Sequence, residues 1–272
     1  MQFLKIIILF FISFAVYATD ITHLVVFGDS MSDRGNTIYG GFNRYSNGKV
    51  WPEYLAEYIC RDCLQDYAWG GARSDAGNYN GFNWSGLSWQ IDQFKLTSDP
   101  NKTLFIIWIG ANDLINGNGS RTKATKNIAV AINKLTAKGA KNIVVLTLLD
   151  FTKAPVYNNP TLPDYAKFSK IKDKVQYEIA EFNHALLSEV IPKKSANYSV
   201  KIIQADDFFD YLFMKKIYKN TRDPWLGTYY FPDKNGYLWW DAWHPMTSVH
   251  EKMANFLMQE LKENNYYFVN RP

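Results

Sequence analysis

Cysteine is scarce in this sequence: 272 residues contain two, Cys60 and Cys63. Two thiols cannot complete a zinc site, and Cys-Arg-Asp-Cys follows a predicted helix with no thioredoxin-like pattern around it. A small local disulfide and a pair of free thiols both remain open. No metal-ligand spacing, phosphate-cradling loop or dinucleotide fingerprint occurs, so no cofactor and no metal are implied. Charge of one sign is not concentrated either. The 30 basic and 26 acidic residues are mixed and leave a net charge of +4, without the basic stripe of a nucleic-acid-binding protein. Beyond the N-terminus no apolar run is long enough to cross a bilayer. Histidine is rare, at four residues, which narrows the choice of a general base.

What is present begins with a secretion signal. Lys5 precedes an apolar run over Ile6 to Val16, and Val16-Tyr17-Ala18 ends in the small residue a signal peptidase needs. Residues 1–18 are therefore expected to be removed after Ala18, leaving 19–272 as a single domain in the periplasm or outside the cell. Hydrophobic residues make up 47% of the chain, enough for a sizeable core.

Three apolar runs read as buried strands: Ile21 to Phe27, Leu104 to Ile109 and Asn142 to Leu149. A shorter fourth is expected at Val200 to Gln204. Helical spacing appears from Pro52 to Ile59, Thr122 to Lys138, Asp206 to Tyr218 and Ser248 to Glu263, and Tyr165 to Val190 reads as one long amphipathic helix whose stripe includes Phe168. Strand, helix and strand with short links imply parallel crossovers, hence an α/β fold with a doubly wound sheet. Ligands bind such sheets in the crevice at the carboxyl ends of the strands.

Ser30, in Phe-Gly-Asp-Ser-Met-Ser-Asp, follows the first strand and is the candidate nucleophile. A serine needs a base, and that base needs a partner to fix its tautomer. His23 starts a strand, His184 lies mid-helix and reads as structural, and His250 lies inside the final helix. Only His244 sits in a loop with an acid, Asp241, three residues away. Asn112 stands at the end of the second strand as Ser30 does at the first. Gly70 and Gly71, beside Ala72, would let a backbone N–H approach a bound group. The aromatic stretch Arg222 to Trp240 suggests an apolar wall for substrate or for a lipid surface, with Trp225, Tyr230, Trp239 and Trp240 as candidates. Asp206 and Asp207 read as helix N-terminal charge.

Four blocks in order, Phe-Gly-Asp-Ser-Met-Ser-Asp, Gly-Gly-Ala, Gly-Ala-Asn-Asp and Asp-Ala-Trp-His-Pro, resemble the GDSL lipase/acylhydrolase family, the SGNH hydrolases. The absence of a Gly-x-Ser-x-Gly elbow sets the chain apart from ordinary α/β-hydrolases. The resemblance implies a flavodoxin-like three-layer α/β/α sandwich with a mostly parallel central sheet. It also implies a triad of Ser30, His244 and Asp241, and an oxyanion hole made by the N–H of Ser30, the N–H of Gly71 and the side chain of Asn112. Asp29 and Asn36 are expected to brace the nucleophile loop. Bacterial lysophospholipase A, phospholipase A and glycerophospholipid:cholesterol acyltransferase relatives are the most similar in these blocks. They imply an ester lipid substrate, a lysophospholipid or phospholipid, with peripheral contact to a membrane surface. A carbohydrate acetyl esterase of the same family and a non-catalytic secreted binding module are the alternatives.

Overall fold

The computed structural model describes residues 19–37, 44–60, 62–190, 197–226 and 236–268. The expected signal segment 1–18 and Tyr230 lie outside the described residues. Nine strands are described, β1 (Thr19–Ile21), β2 (His23–Gly28), β3 (Leu64–Asp66), β4 (Thr103–Trp108), β5 (Asn142–Leu146), β6 (Ser199–Ile203), β7 (Asn220–Pro224), β8 (Tyr237–Trp239) and β9 (Tyr266–Phe268). Five of them form one parallel sheet in the order β3-β2-β4-β5-β6. This is the doubly wound arrangement in which the chain first builds outward to one side of β2 and then crosses to the other. Every residue of β4 and β5 is buried, which is why both read as unbroken apolar runs rather than alternating ones.

Helices cover the sheet in two sets. Trp51–Ile59 packs on Thr247–Glu263, while Leu87–Gln93, Arg121–Ala137 and Lys172–Ala185 pack in series. The α/β fold expected from the sequence is the one observed.

Several boundaries differ from expectation for identifiable reasons. The first run divides at Thr22: β1 pairs in parallel with β9, at the far end of the chain, and only β2 enters the main sheet. The edge strand β3 was not anticipated, since its three half-buried residues are too few to show a period. Cys60 and Cys63, with Cα atoms 5.6 Å apart and sulfurs in disulfide contact, close the link that leads into β3. The long helix predicted from Tyr165 is interrupted, with Tyr165–Phe168 separated from Lys172–Ala185 by a tight 3₁₀ turn at Ser169–Ile171. That turn takes Phe168 off the stripe and sets its ring against Trp243.

Two buried amides finish strands that stop short. Gln90 receives the Gly28 N–H at 3.0 Å and donates to the Gly28 carbonyl at 2.8 Å. Asn183 does the same for Leu148, both bonds 2.8 Å, just beyond β5. The third run therefore leaves the sheet at Leu146, and Leu148 and Leu149 become free to line a cavity.

Replacing Gln90 with Ala would leave the buried Gly28 N–H without a partner and the Gly28 carbonyl with the Trp69 N–H alone. Unfolding by denaturant is expected to show a loss of about 3 kcal/mol. An unchanged midpoint would mean that Gln90 does not hold this strand end.

Candidate active site

The nucleophile loop begins where β2 ends. The Asp29 carboxylate accepts the Met31 N–H at 3.0 Å, and the Asp29 carbonyl accepts the N–H groups of Ser32 and Asp33. These bonds wind residues 29–33 into a tight turn with Ser30 facing outward. Asp33 accepts N–H bonds from Gly35, Asn36 and Gly70, and so ties this turn to the Gly70–Gly71 turn. The Asn36 amide donates to the carbonyls of Asp66 and Ala68. Both residues expected to brace the loop, Asp29 and Asn36, make bracing bonds.

His244 Nε2 lies 2.8 Å from Ser30 Oγ, although 214 positions separate the two residues. Its Nδ1 faces Asp241, 2.8 Å from one carboxylate oxygen and 3.0 Å from the other. A carboxylate accepts only, so the proton sits on Nδ1 and Nε2 is left to accept from the serine hydroxyl. Asp241 is also bonded by the backbone N–H groups of Trp243 and His244, each at 2.7 Å. Burial pushes this carboxyl upward, but the His244 charge and these N–H bonds hold it below the ordinary carboxylate range. The loop carrying His244 is clamped by residues 46–47: Ser46 Oγ donates to the Pro245 carbonyl, and Asn47 accepts the Thr247 N–H.

Of the two candidate glycines, Gly70 spends its N–H on Asp33 and on Thr37 Oγ1. The N–H of Gly71 and that of Ser30 donate to no acceptor among the described residues, and both residues line the same cavity. Gly71 has φ +76°, and a Cβ there would come within 2.6 Å of Asn78 Oδ1, so only glycine fits. Gly70 serves packing instead. A Cβ on it would meet the Tyr45 ring at 2.4 Å, and that ring sits 4.8 Å from the His244 imidazole. Asn112 donates one amide hydrogen to the Ala72 carbonyl at 3.0 Å, which leaves the second for a ligand. Next to it, Asp113 accepts from the N–H and hydroxyl of Ser74. The Asn112 block thereby fixes the position of the Gly71 block.

Ser30, Gly71, Asn112 and His244 open into one cavity of about 400 Å³. Its far walls are Ile115, Leu148, Leu149, Phe151, Phe168 and Trp243. Phe168 and Trp243 meet edge to face at 4.7 Å. Of the aromatic candidates, Trp239 lines the cavity, with its indole N–H held by the Thr221 carbonyl. Trp225 and Trp240 lie outside the lining and stack on each other at 5.5 Å, because backbone bonds pair residues 225–226 with 239–240. Trp243 was missed although it is adjacent to His244 in the motif, and Phe168 was missed because the helix break could not be foreseen. The remaining histidines are elsewhere. His184 is exposed, and His23 bonds Thr22. His250 is buried and driven down to about 3 by desolvation, then by the His244 charge, so it stays neutral and accepts the Trp51 N–H.

Residues 24–257 match the GDSL-like Lipase/Acylhydrolase family. The thermolabile hemolysin of Vibrio parahaemolyticus is 26% identical over 90% of this chain and 65% of its own length. The phosphatidylcholine-sterol acyltransferase of Aeromonas hydrophila is 27% identical over 69% of this chain and 59% of its own. The secreted effector protein SseJ of Salmonella typhimurium is 26% identical over 88% and 63%. The chain thus spans about three fifths of the length of the curated relatives it matches. Among solved structures, the aryl esterase of M. smegmatis superposes with a TM-score of 0.55 at 14% identity, covering 89% of this chain and 99% of that one, a likeness of fold.

Beside Ser30, burial raises the Asp29 carboxyl from its ordinary 3.8 to about 6. A folded value above the unfolded one means that the folded state binds the proton more tightly. Stability linked to Asp29 is therefore present at pH 4 and is lost as pH rises through 6, a cost of about 3 kcal/mol at pH 8. Asp29→Asn keeps an acceptor for the Met31 N–H and is expected to raise the melting temperature at pH 8 but not at pH 4. Equal shifts at both values would refute the assignment.

Proposed function

The chain belongs to the GDSL-like lipase/acylhydrolase family, and from that premise we propose that it is a secreted serine esterase that cleaves the acyl esters of lipids. Ser30 Oγ attacks the ester carbonyl while His244 Nε2 takes its proton, and Asp241 keeps the imidazole in the required tautomer and stabilises the imidazolium. The N–H groups of Ser30 and Gly71 and the free amide hydrogen of Asn112 receive the negative charge that forms on the carbonyl oxygen. The alcohol departs with the proton from His244. Water, or a second alcohol, then attacks the acyl-enzyme by the same route in reverse.

The observation that carries the lipid reading is the apolar cavity that starts at Ser30. Leu148, Leu149, Ile115, Phe151, Phe168 and Trp243 offer an acyl chain an apolar wall, with Asp164, Lys167, Tyr79 and Asn80 as the polar groups beside it that a headgroup would meet. Two relatives are named a hemolysin and a phosphatidylcholine-sterol acyltransferase, in keeping with a lysophospholipid or phospholipid substrate and with transfer to an acceptor alcohol. We place the mature protein outside the cytoplasm, on the strength of the N-terminal signal pattern and of one relative named a secreted effector.

Fatty-acid release from a lysophospholipid and hydrolysis of a short nitrophenyl ester, measured side by side, test this reading. The expected result is preference for the lysophospholipid and loss of both activities in Ser30→Ala. Activity on the short ester alone would discard the lipid substrate. Asn112→Ala is expected to lower kcat by on the order of a hundredfold with little change in KM, since that donor matters most when the oxyanion forms. A comparable rise in KM with kcat unchanged would assign Asn112 to ground-state binding instead.

A further inference from the structure

Between Asp75 and Asp92 lie sixteen residues without a single charged side chain or histidine, Ala76 to Ile91. They form a loop followed by the start of the helix Leu87–Gln93, and they leave three large rings partly in solvent: Tyr79, Phe82 and Trp84, exposed to 37%, 49% and 36%. Phe82 stacks on Trp84 at 5.6 Å, and Trp84 rests against Trp69 and Trp89 at 5.1 and 5.7 Å. The loop is firmly built. Asn78 N–H bonds the Phe82 carbonyl, Gly86 N–H the Ala76 carbonyl, Leu87 N–H the Arg73 carbonyl, and the Asn78 amide bonds Ser85 and Gly70. Phe82 and Trp84 pack on each other and on neighbouring rings, yet between a third and a half of each stays in solvent on a stretch without charge.

We infer that this platform docks the protein on a zwitterionic phospholipid surface. Aromatic rings with one polar edge favour the headgroup level of a bilayer, and a charge there would oppose insertion. The charges flanking the stretch are paired with each other, Arg73 with Asp75 and Lys134 with Asp92, so the patch presents no net sign that would select an acidic or basic partner. It is also continuous with the candidate active site: Tyr79 and Asn80 line the cavity, and the Tyr79 N–H bonds the Gly71 carbonyl. The loop that carries Phe82 and Trp84 thus also supplies part of the cavity wall, so docking through these rings would hold the cavity close to the lipid surface. The inference rests on the lipid-ester reading and relocates membrane contact from the 222–240 stretch to this loop.

The test is flotation with phosphatidylcholine vesicles, using Ser30→Ala so that no substrate is consumed. Ser30→Ala is expected to float, and the same protein carrying Phe82→Ser and Trp84→Ser is expected to bind on the order of tenfold more weakly or less. With Ser30 intact, the Phe82→Ser/Trp84→Ser double variant should keep its rate on a soluble nitrophenyl ester at a temperature where it stays folded. Should that double variant fail to fold, quenching of tryptophan fluorescence in the unsubstituted protein by lipids brominated in the acyl chain decides instead, with no quenching counting against docking. Undiminished flotation of the substituted protein overturns the proposal, as does failure of Ser30→Ala to float. Retention on an insoluble polysaccharide that depends on Phe82 and Trp84, without flotation, would give the platform to sugars and overturn it too. Flotation that behaves as expected, in a protein that hydrolyses no vesicle lipid, would uphold the docking surface and refute the substrate reading.

Discussion

Where β2 ends, the chain must leave the sheet while its last peptide groups are still in a dry interior, and the Gln90 amide resolves this by bonding both sides of Gly28. Two residues later stands Ser30, so its position depends on that exit. The exit also sits at the topological switch, where β3 lies to one side of β2 and β4 to the other. Loops after β2 and β4 diverge there and leave a crevice between them. Ser30 follows the first of these strands and Asn112 the second, so the two face one another across the crevice. Asn183 repeats the device at Leu148 and opens the apolar side of the same space.

Polar groups around the crevice bind its loops to each other. Asp33 joins the Ser30 turn to Gly70, Asn112 and Asp113 join the next block to Ala72 and Ser74, and Tyr45 is wedged between Gly70 and His244. Their electrostatics differ in kind. Desolvation raises the carboxyls of Asp29, Asp66 and Asp113, whereas the charge of His244 and its N–H neighbours hold Asp241 low. Among these four acids, the one that keeps its charge most firmly is the one that faces the imidazole, where an anion is needed to stabilise an imidazolium.

The α/β class was legible because parallel strands buried on both faces leave continuous apolar runs, and Ser30 and Asn112 were legible because those runs stop just before them. His244 could be chosen among four histidines from its loop and its neighbouring acid. The chemistry of its contacts was local enough to read, in Asp241 three residues away. Other features depend on contacts that no local pattern carries. Gln90 acts 62 positions from Gly28, and Ser46 acts 199 positions from Pro245. β3 is too short for periodicity, and the break at Ser169–Ile171 replaces one stripe with two. Aromatic content alone was an uneven guide: Trp239 of the 222–240 stretch lines the cavity and Trp225 and Trp240 stack on each other outside the lining, while Phe151, Phe168 and Trp243 reach the cavity from other segments.

The central claim is that Ser30 is a nucleophile activated by His244. Treatment with a fluorophosphonate, followed by intact-protein mass spectrometry and peptide mapping, tests it most directly, because the reagent bonds only an activated serine and requires no choice of substrate. The account predicts one adduct per chain, located on Ser30 and absent from His244→Ala. No adduct, or an adduct on another residue, would contradict it.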